Sequence, residues 1–343
     1  MHAAWFAALA LMLTAYAVLD GFDFGAGIVH LFVARTDAER RTVLGAIGPM
    51  WDGNEVWLIA SGGVLFFAFP RAYAAAFSGL YLALMLVLWL LILRGISIEF
   101  RSQVAHPLWH TAWDATFAGS SAAVAIVLGV AIGNVVRGVP IDETGYFEQD
   151  LFAAMDAEHP GAIDPFTAVF GLLGLATFGA HGATFLAWKT TGVLAARCRR
   201  AARWLWPAAV GLLVVATVLT ACMERAFVGR LLERSWIWPL PLVAVACAGF
   251  AWRELSAGRE LRAFLASSAF VAAMLVATAA TLYPTILRST VDDAFTLDAA
   301  NAASESTGLA SGLVIWVAAM ILTVGYFAFL FRSFRGKADG SGH

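Results

Sequence analysis

Charge is scarce in this sequence: only 13% of its 343 residues are Asp, Glu, Lys or Arg, where an ordinary soluble domain carries about 25%. Nothing large and polar enough for a soluble domain is left between the apolar runs. Cysteine is scarce too, with only Cys198, Cys222 and Cys247. An odd number without a C-x-x-C spacing supports neither a disulfide framework nor a zinc site, so these read as packing residues. A net charge of −2 gives no footprint for nucleic acid. Met1-His-Ala-Ala-Trp5 lacks the positive start of a signal peptide, so the first apolar run is expected to remain as a helix.

What is present is hydrophobic surface. Apolar residues make up 61% of the chain, with 25 Phe and 13 Trp, which reads as an all-α, polytopic membrane protein with aromatic belts. A span needs about 20 mostly apolar residues. Nine such runs fall at approximately 3–33, 46–69, 72–95, 108–135, 164–189, 204–223, 236–253, 261–284 and 308–332. Lys and Arg divide unevenly between alternate connections. Sixteen lie on one side, among them Arg35, Arg40, Arg41, Arg94, Arg101 and Arg197, and six on the other. The positive-inside rule then puts the N-terminus outside and the C-terminus in the cytoplasm. Residues 1–335 read as one transmembrane domain. It has an acidic outer loop over about 136–163, with Asp142, Glu143, Glu148, Asp150, Asp156 and Glu158, and 336–343 reads as a disordered tail.

Against that background, four carboxylates stand out inside the first two spans: Asp20, Asp23, Asp52 and Glu55. A charged side chain at the bilayer centre costs about 2.5–3.5 kcal/mol on insertion scales, so it has to face protein, water or a partner. Asp20 and Asp23, and again Asp52 and Glu55, are three apart and share a helix face. Counting about 1.5 Å per residue from Arg35 and Arg41 places Asp23 and Asp52 roughly 16–18 Å from the same inner loop, side by side on neighbouring helices. His30 lies two turns inward from Asp23, and Arg94, with Glu99 and Arg101 beyond it, supplies a cation at that side. Asp, Glu and His chains of this kind are the usual material of proton relays.

Plainer readings compete. The acids would then bridge helices in a static core, with Gly21, Gly25, Gly27, Gly62 and Gly63 as small-residue contacts. Pro49 and Gly53 would break the second helix and leave Asp52 in an irregular segment. A proton-coupled transporter or ion-conducting helical protein also buries carboxylates, though its broken helices recur in two halves. For metal or haem, His106 and His110 are separated by Pro107. His181, in Phe178-Gly-Ala-His-Gly182, reads as a hydrogen-bonded packing residue, and no pair of histidines at matched depth supports haem ligation.

At these residues the chain resembles a known family, subunit II of the cytochrome bd quinol oxidases, including the cyanide-insensitive branch. The motifs are Asp20-Gly-Phe-Asp-Phe-Gly-Ala-Gly27, Glu39-Arg-Arg41, Pro49-Met-Trp-Asp-Gly-Asn-Glu-Val-Trp-Leu58, Gly62-Gly63, Phe69-Pro70, Tyr73-Ala-Ala-Ala-Phe-Ser78, Tyr81, Leu93-Arg-Gly95 and Glu99-Phe-Arg101. The match is dense over residues 1–101 and thinner beyond.

The resemblance implies a heterodimer with a haem-bearing subunit I in the bacterial cytoplasmic (inner) membrane, oxidising quinol and reducing O2 to water with cytoplasmic proton uptake. Haems b and d would be ligated by subunit I and not by this chain. This chain would supply a scaffold, a proton pathway through Asp20, Asp23, Asp52, Glu55, Arg94, Glu99 and His30, and oxygen access near Trp57. Glu55 stands where some members carry Gln. A structural quinone within this subunit and a small single-helix accessory subunit are further elements the resemblance allows, alongside membrane lipid.

Overall fold

The computed structural model of the chain describes residues 1–152 and 161–338. Asp156 and Glu158 of the acidic loop, and residues 339–343 of the expected tail, lie outside the described residues. Twelve α-helices are found among those described: α1 His2–Val33, α2 Asp37–Ile47, α3 Trp51–Ala68, α4 Pro70–Gly79, α5 Tyr81–Phe100, α6 Pro107–Arg137, α7 Pro165–Lys189, α8 Gly192–Met223, α9 Arg225–Glu233, α10 Pro239–Ser256, α11 Glu260–Leu282 and α12 Ser306–Ser333. Eight of these segments are long and apolar enough to cross a membrane: α1, α5, α6, α7, α8, α10 with its preceding turn, α11 and α12. The second expected span corresponds to α3, which falls outside that set. Its first turn carries Asp52, Asn54 and Glu55.

The break in that second segment has a local cause. Thr36 caps α2 by accepting from Glu39 N, while Glu39 Oε2 accepts in return from Thr36 N; this is the capping box that starts a helix firmly. The helix ends at Ile47, and Pro49, which has no N–H to give, sits in the turn before α3 begins at Trp51. The third expected span is likewise two helices, α4 and α5, meeting at Leu80.

α1 is the hub, packed against α3, α6, α7 and α11. Its approach to α7 is so close that a Cβ on Gly25 would lie 1.9 Å from Phe178 O, and one on Gly182 would lie 2.2 Å from Gly25 C. Small residues there let two helices meet backbone to backbone. Gly62 and Gly63 differ from the expectation: a Cβ on either meets nothing within 4 Å, because they line an open cleft rather than a helix contact. α12 leans on the rest mainly through side chains. Trp5 Nε1 donates to Leu309 O at 3.0 Å, and Phe327 meets Trp57 at 5.7 Å between ring centroids.

At the end where α6, α8 and α11 finish, a two-stranded antiparallel pair, β1 (Thr285–Leu287) with β2 (Leu297–Asp298), folds over the bundle. At the opposite end Gly336 to Ala338, expected in a disordered tail, is hydrogen-bonded to the end of α7. Lys189 Nζ donates to Phe334 O at 2.5 Å and Gly336 O at 3.1 Å, and Ala338 N donates to Lys189 O at 2.7 Å.

Candidate functional site

The face of α3 turned toward the bundle is set by Asn54, Trp57, Ser61, Val64 and Ala68, alternately three and four residues apart, the spacing of one helical stripe. Asn54 Nδ2 donates to Asp23 Oδ2 at 2.8 Å and to Leu19 O at 3.3 Å. Glu55, beside that stripe, reaches instead toward α5. There Arg94 NH1 donates to Asp20 Oδ1 and Arg94 NH2 to Glu55 Oε1, both at 2.6 Å. Asp20, Asp23, Asn54 and Arg94 are wholly buried, whereas Glu55 is a quarter exposed. The Arg94 guanidinium also lies 4.4 Å from the centroid of the Phe24 ring, a favourable cation–π position. Tyr16, one turn before Asp20, faces it from the same helix.

This cluster is unevenly satisfied. Arg94 holds two carboxylates at once, but Asp23 Oδ1, Asn54 Oδ1 and Arg94 Nε are buried with no hydrogen-bond partner among the described residues. Buried polar atoms are nearly always paired, so such exceptions mark strain, chemistry or an unplaced water.

A second cluster lies nearer the Arg35 end of α1. Asp114 of α6 accepts from His30 Nε2 at 2.8 Å, from Arg40 NH1 at 2.9 Å, and from Arg101 through Nε at 2.6 Å and NH2 at 3.2 Å. Arg101 continues to Asp37 at 2.8 Å, and His110 Nδ1 lies 3.2 Å from the same Asp37 oxygen. The Arg101 hydrogen bond holds the Asp37 carboxyl below the usual carboxylate range. Both Asp114 oxygens are therefore occupied, on α1, α2 and the α5–α6 connection together.

The structure thus brings together Asp20, Asp23, Glu55 and Arg94, and places His30 in the other cluster. Asp52 was expected beside Asp23, but it is exposed, and its Oδ1 accepts from the neighbouring Gly53 N at 2.8 Å. Asn54 occupies the place beside Asp23. The reason is the Gly48–Met50 turn: depth counted from Arg41 presumed one continuous helix, and the fresh start at Trp51 rotates Asp52 off the inward stripe. Glu99 is exposed on α5. Trp57 is buried, with its Nε1 unpartnered among the described residues. Asn54 and Asp114 were missed. The signal for Asn54 was its place in the stripe with Trp57, Ser61, Val64 and Ala68; that for Asp114 was one carboxylate facing several nearby arginines across short loops.

Two of the described histidines, His30 and His181, are fully buried in the helix bundle. His181 has both nitrogens engaged, Nδ1 with Ser267 Oγ at 2.7 Å and Nε2 with Val18 O at 2.9 Å, and His30 is tied through Nε2 to Asp114. Among the described residues no group of three or more His, Cys, Asp or Glu is arranged to hold a metal. An open apolar cleft of about 1420 Å³ runs between α3, α4, α5 and α6, with Glu55 and Glu99 in its wall.

Fold and site together define a multi-pass helical membrane protein with a buried guanidinium–carboxylate centre between α1, α3 and α5. The family model described as cytochrome bd terminal oxidase subunit II matches residues 1–334, and the chain belongs to that family. Among its relatives, a probable cytochrome oxidase subunit 2 of Haemophilus influenzae is 28% identical over 98% of this chain and 95% of its own length. The cytochrome bd ubiquinol oxidase subunit 2 of Bacillus subtilis is 31% identical over 89% of this chain and 87% of its own. The cytochrome bd-I ubiquinol oxidase subunit 2 of Escherichia coli is 38% identical over a shorter stretch, 58% of this chain and 52% of its own. A chain in the structure of the bd oxidase from Geobacillus thermodenitrificans shares the fold, with a TM-score of 0.78 at 16% identity, covering 97% of this chain and 98% of that one.

Proposed function

We propose that this chain is the second subunit of a quinol oxidase of the bacterial cytoplasmic membrane. In this reading it pairs with a haem-bearing subunit I, and the complex oxidises quinol, reduces O2 to water and takes up protons from the cytoplasm. The observation that carries the proposal is the cluster of Asp20, Asp23 and Glu55 around a single buried cation, Arg94. One guanidinium cannot balance three ionised carboxylates in a medium of low dielectric constant, so the cluster is suited to hold and exchange protons. Asp23 is the natural carrier. Among the described residues its one bonded partner is the neutral Asn54, and its second oxygen is free to meet a water. Asp52 and Glu99 would form the rim of this route, and Trp57 would stand beside oxygen access.

The scaffolding role is supported by what is left uncovered. Asp52, Glu55 and Glu99 open onto faces whose other residues include the exposed Val56 and Ile59 of α3 and Trp89 of α5. α12 is apolar and almost unburied, with Val314, Ile315 and Leu322 outward. Carboxylates on a membrane surface need a protein neighbour rather than lipid, and subunit I is the neighbour we assign to α3, α5 and α12. Haems b and d supply the redox chemistry of the complex. His181, with both ring nitrogens engaged, supports placing their ligands in subunit I. The apolar cleft has room for a structural quinone or a lipid chain. An accessory single-helix subunit would add to the same membrane assembly.

The test is to purify the tagged chain with and without subunit I. The complex is expected to consume O2 with quinol and to carry the haem spectrum, and the chain alone to lack a Soret band. A Soret band retained by the chain alone would move haem ligation onto it, and a haem-loaded complex inert toward quinol would remove the oxidase reading.

A further inference from the structure

At the end of the bundle where α8 and α11 finish, α9 and the residues after it carry arginines whose partners are mostly neutral. Arg234 NH1 donates to Tyr283 O at 2.6 Å and Ala280 O at 3.0 Å, the last carbonyls of α11, where a cation is favourable. Arg230 NH1 donates to Thr285 Oγ1 at 3.2 Å, and its Nε is buried with no partner. Neither Arg230 nor Arg234 has a carboxylate within 4 Å among the described residues. Arg288, the third cation facing Arg230, is paired with Glu224 and reaches Arg137 O at 3.4 Å. The acids that face Arg230 are Glu224, already engaged by Arg288, and Asp293, which is exposed. Burial and the two neighbouring guanidiniums press the Arg230 guanidinium below its ordinary range. Against these three guanidiniums stand, among the described residues, only Glu224, held by Arg288, and the exposed Asp293, which leaves one positive charge in excess on a partly buried surface for an anion to balance.

The surroundings say which kind of anion. Leu232, Trp236 and Trp238 are 58%, 64% and 43% exposed beside these arginines, and Met223 and Val218 at the end of α8 are exposed too. Tryptophan and arginine side by side at the end of membrane helices mark headgroup depth, and an apolar flank suits acyl chains rather than water.

We propose that Arg230, with Arg234 and Arg288, binds the phosphodiester headgroup of an anionic phospholipid whose acyl chains lie along Leu232 and the end of α8. The lipid neutralises the arginine group and seats α9 and the β1–β2 loop against the bundle.

The experiment uses the assembled complex, wild type and with Arg230→Gln or Arg230→Lys, in nanodiscs of phosphatidylcholine with and without phosphatidylglycerol. Lipid retained on the complex is read by native mass spectrometry, and stability by thermal unfolding. Phosphatidylglycerol is expected to be retained by the wild type and to raise its unfolding temperature. Arg230→Gln should weaken retention about fivefold, the factor one basic residue supplies near an anionic lipid surface, and Arg230→Lys should keep most of it. Equal retention by wild type and Arg230→Gln overturns the proposal. Stabilisation by inorganic phosphate equal to that by phosphatidylglycerol also overturns it, in favour of a free-anion site. Should Arg230→Gln fail to assemble, the wild type decides: no preference for phosphatidylglycerol over phosphatidylcholine rejects the site.

Discussion

Two buried ionic clusters hang from the same helix, and they are built on opposite principles. Around Asp114, one carboxylate meets His30, Arg40 and Arg101, and both of its oxygens are bonded. Around Arg94, one cation meets Asp20 and Glu55 with Asp23 alongside, and Asp23, Asn54 and Arg94 each leave a buried atom unpartnered. The first arrangement fixes α1, α2 and α6 in place. Its donors outnumber its single carboxylate, and His30 Nδ1 is its one buried atom without a partner among the described residues. The second has more carboxylates than cations and free oxygens beside them, the arrangement that the proposed proton route needs. On the proposed function, the sign in excess is what separates a clasp from a relay.

Removing the key charge of each cluster separates them. The largest effect is expected for Arg94→Gln, which leaves Asp20 and Glu55 without their shared cation. Breaking a buried pair in this way costs about 3–5 kcal/mol, so little assembled complex should survive, as read by membrane yield and unfolding temperature. Asp114→Asn is expected to cost less, about 1–3 kcal/mol, because Asn still accepts a hydrogen bond and Arg40 is partly exposed. The complex that does assemble should turn over at the wild-type rate. A loss of turnover in well-assembled Asp114→Asn would break the distinction between clasp and relay. The smallest effect belongs to Asp37, whose carboxyl Arg101 holds below its ordinary value. A carboxyl lowered on folding adds stability above its unfolded pKa, about 3.9, and that stability is lost as pH falls through the folded value. Unfolding temperature measured from pH 7 downward should therefore show a shallow loss below about pH 4 that Asp37→Asn removes.

Much of this was legible in the sequence, and the parts that were not share a cause. The apolar runs located the long helices to within a few residues at α1, α6 and α7, since hydropathy needs no tertiary knowledge. The family also was written in the first hundred residues. The pairing of Arg94 with Asp20 was readable as a cation near buried acids. Asp52 was misplaced because depth counting treated 46–69 as one helix, while Pro49 ends the preceding one and α3 restarts at Trp51. Attention to charge also hid Asn54, a neutral side chain whose importance appears only once α3 is docked on α1. His30 shared a face with Asp23, but its partner comes from α6, 84 residues away, a distance over which helix periodicity carries no information.

The most direct measurement of the central claim is O2 consumption and proton uptake by the assembled complex carrying Asp23→Asn, with Asp114→Asn alongside at equal haem content. Asparagine keeps the shape beside Asn54 but cannot carry a proton, so turnover with Asp23→Asn is predicted to fall by about tenfold or more while the haem spectrum and unfolding temperature stay near wild type. Wild-type turnover and proton uptake in a normally assembled Asp23→Asn complex would contradict the account.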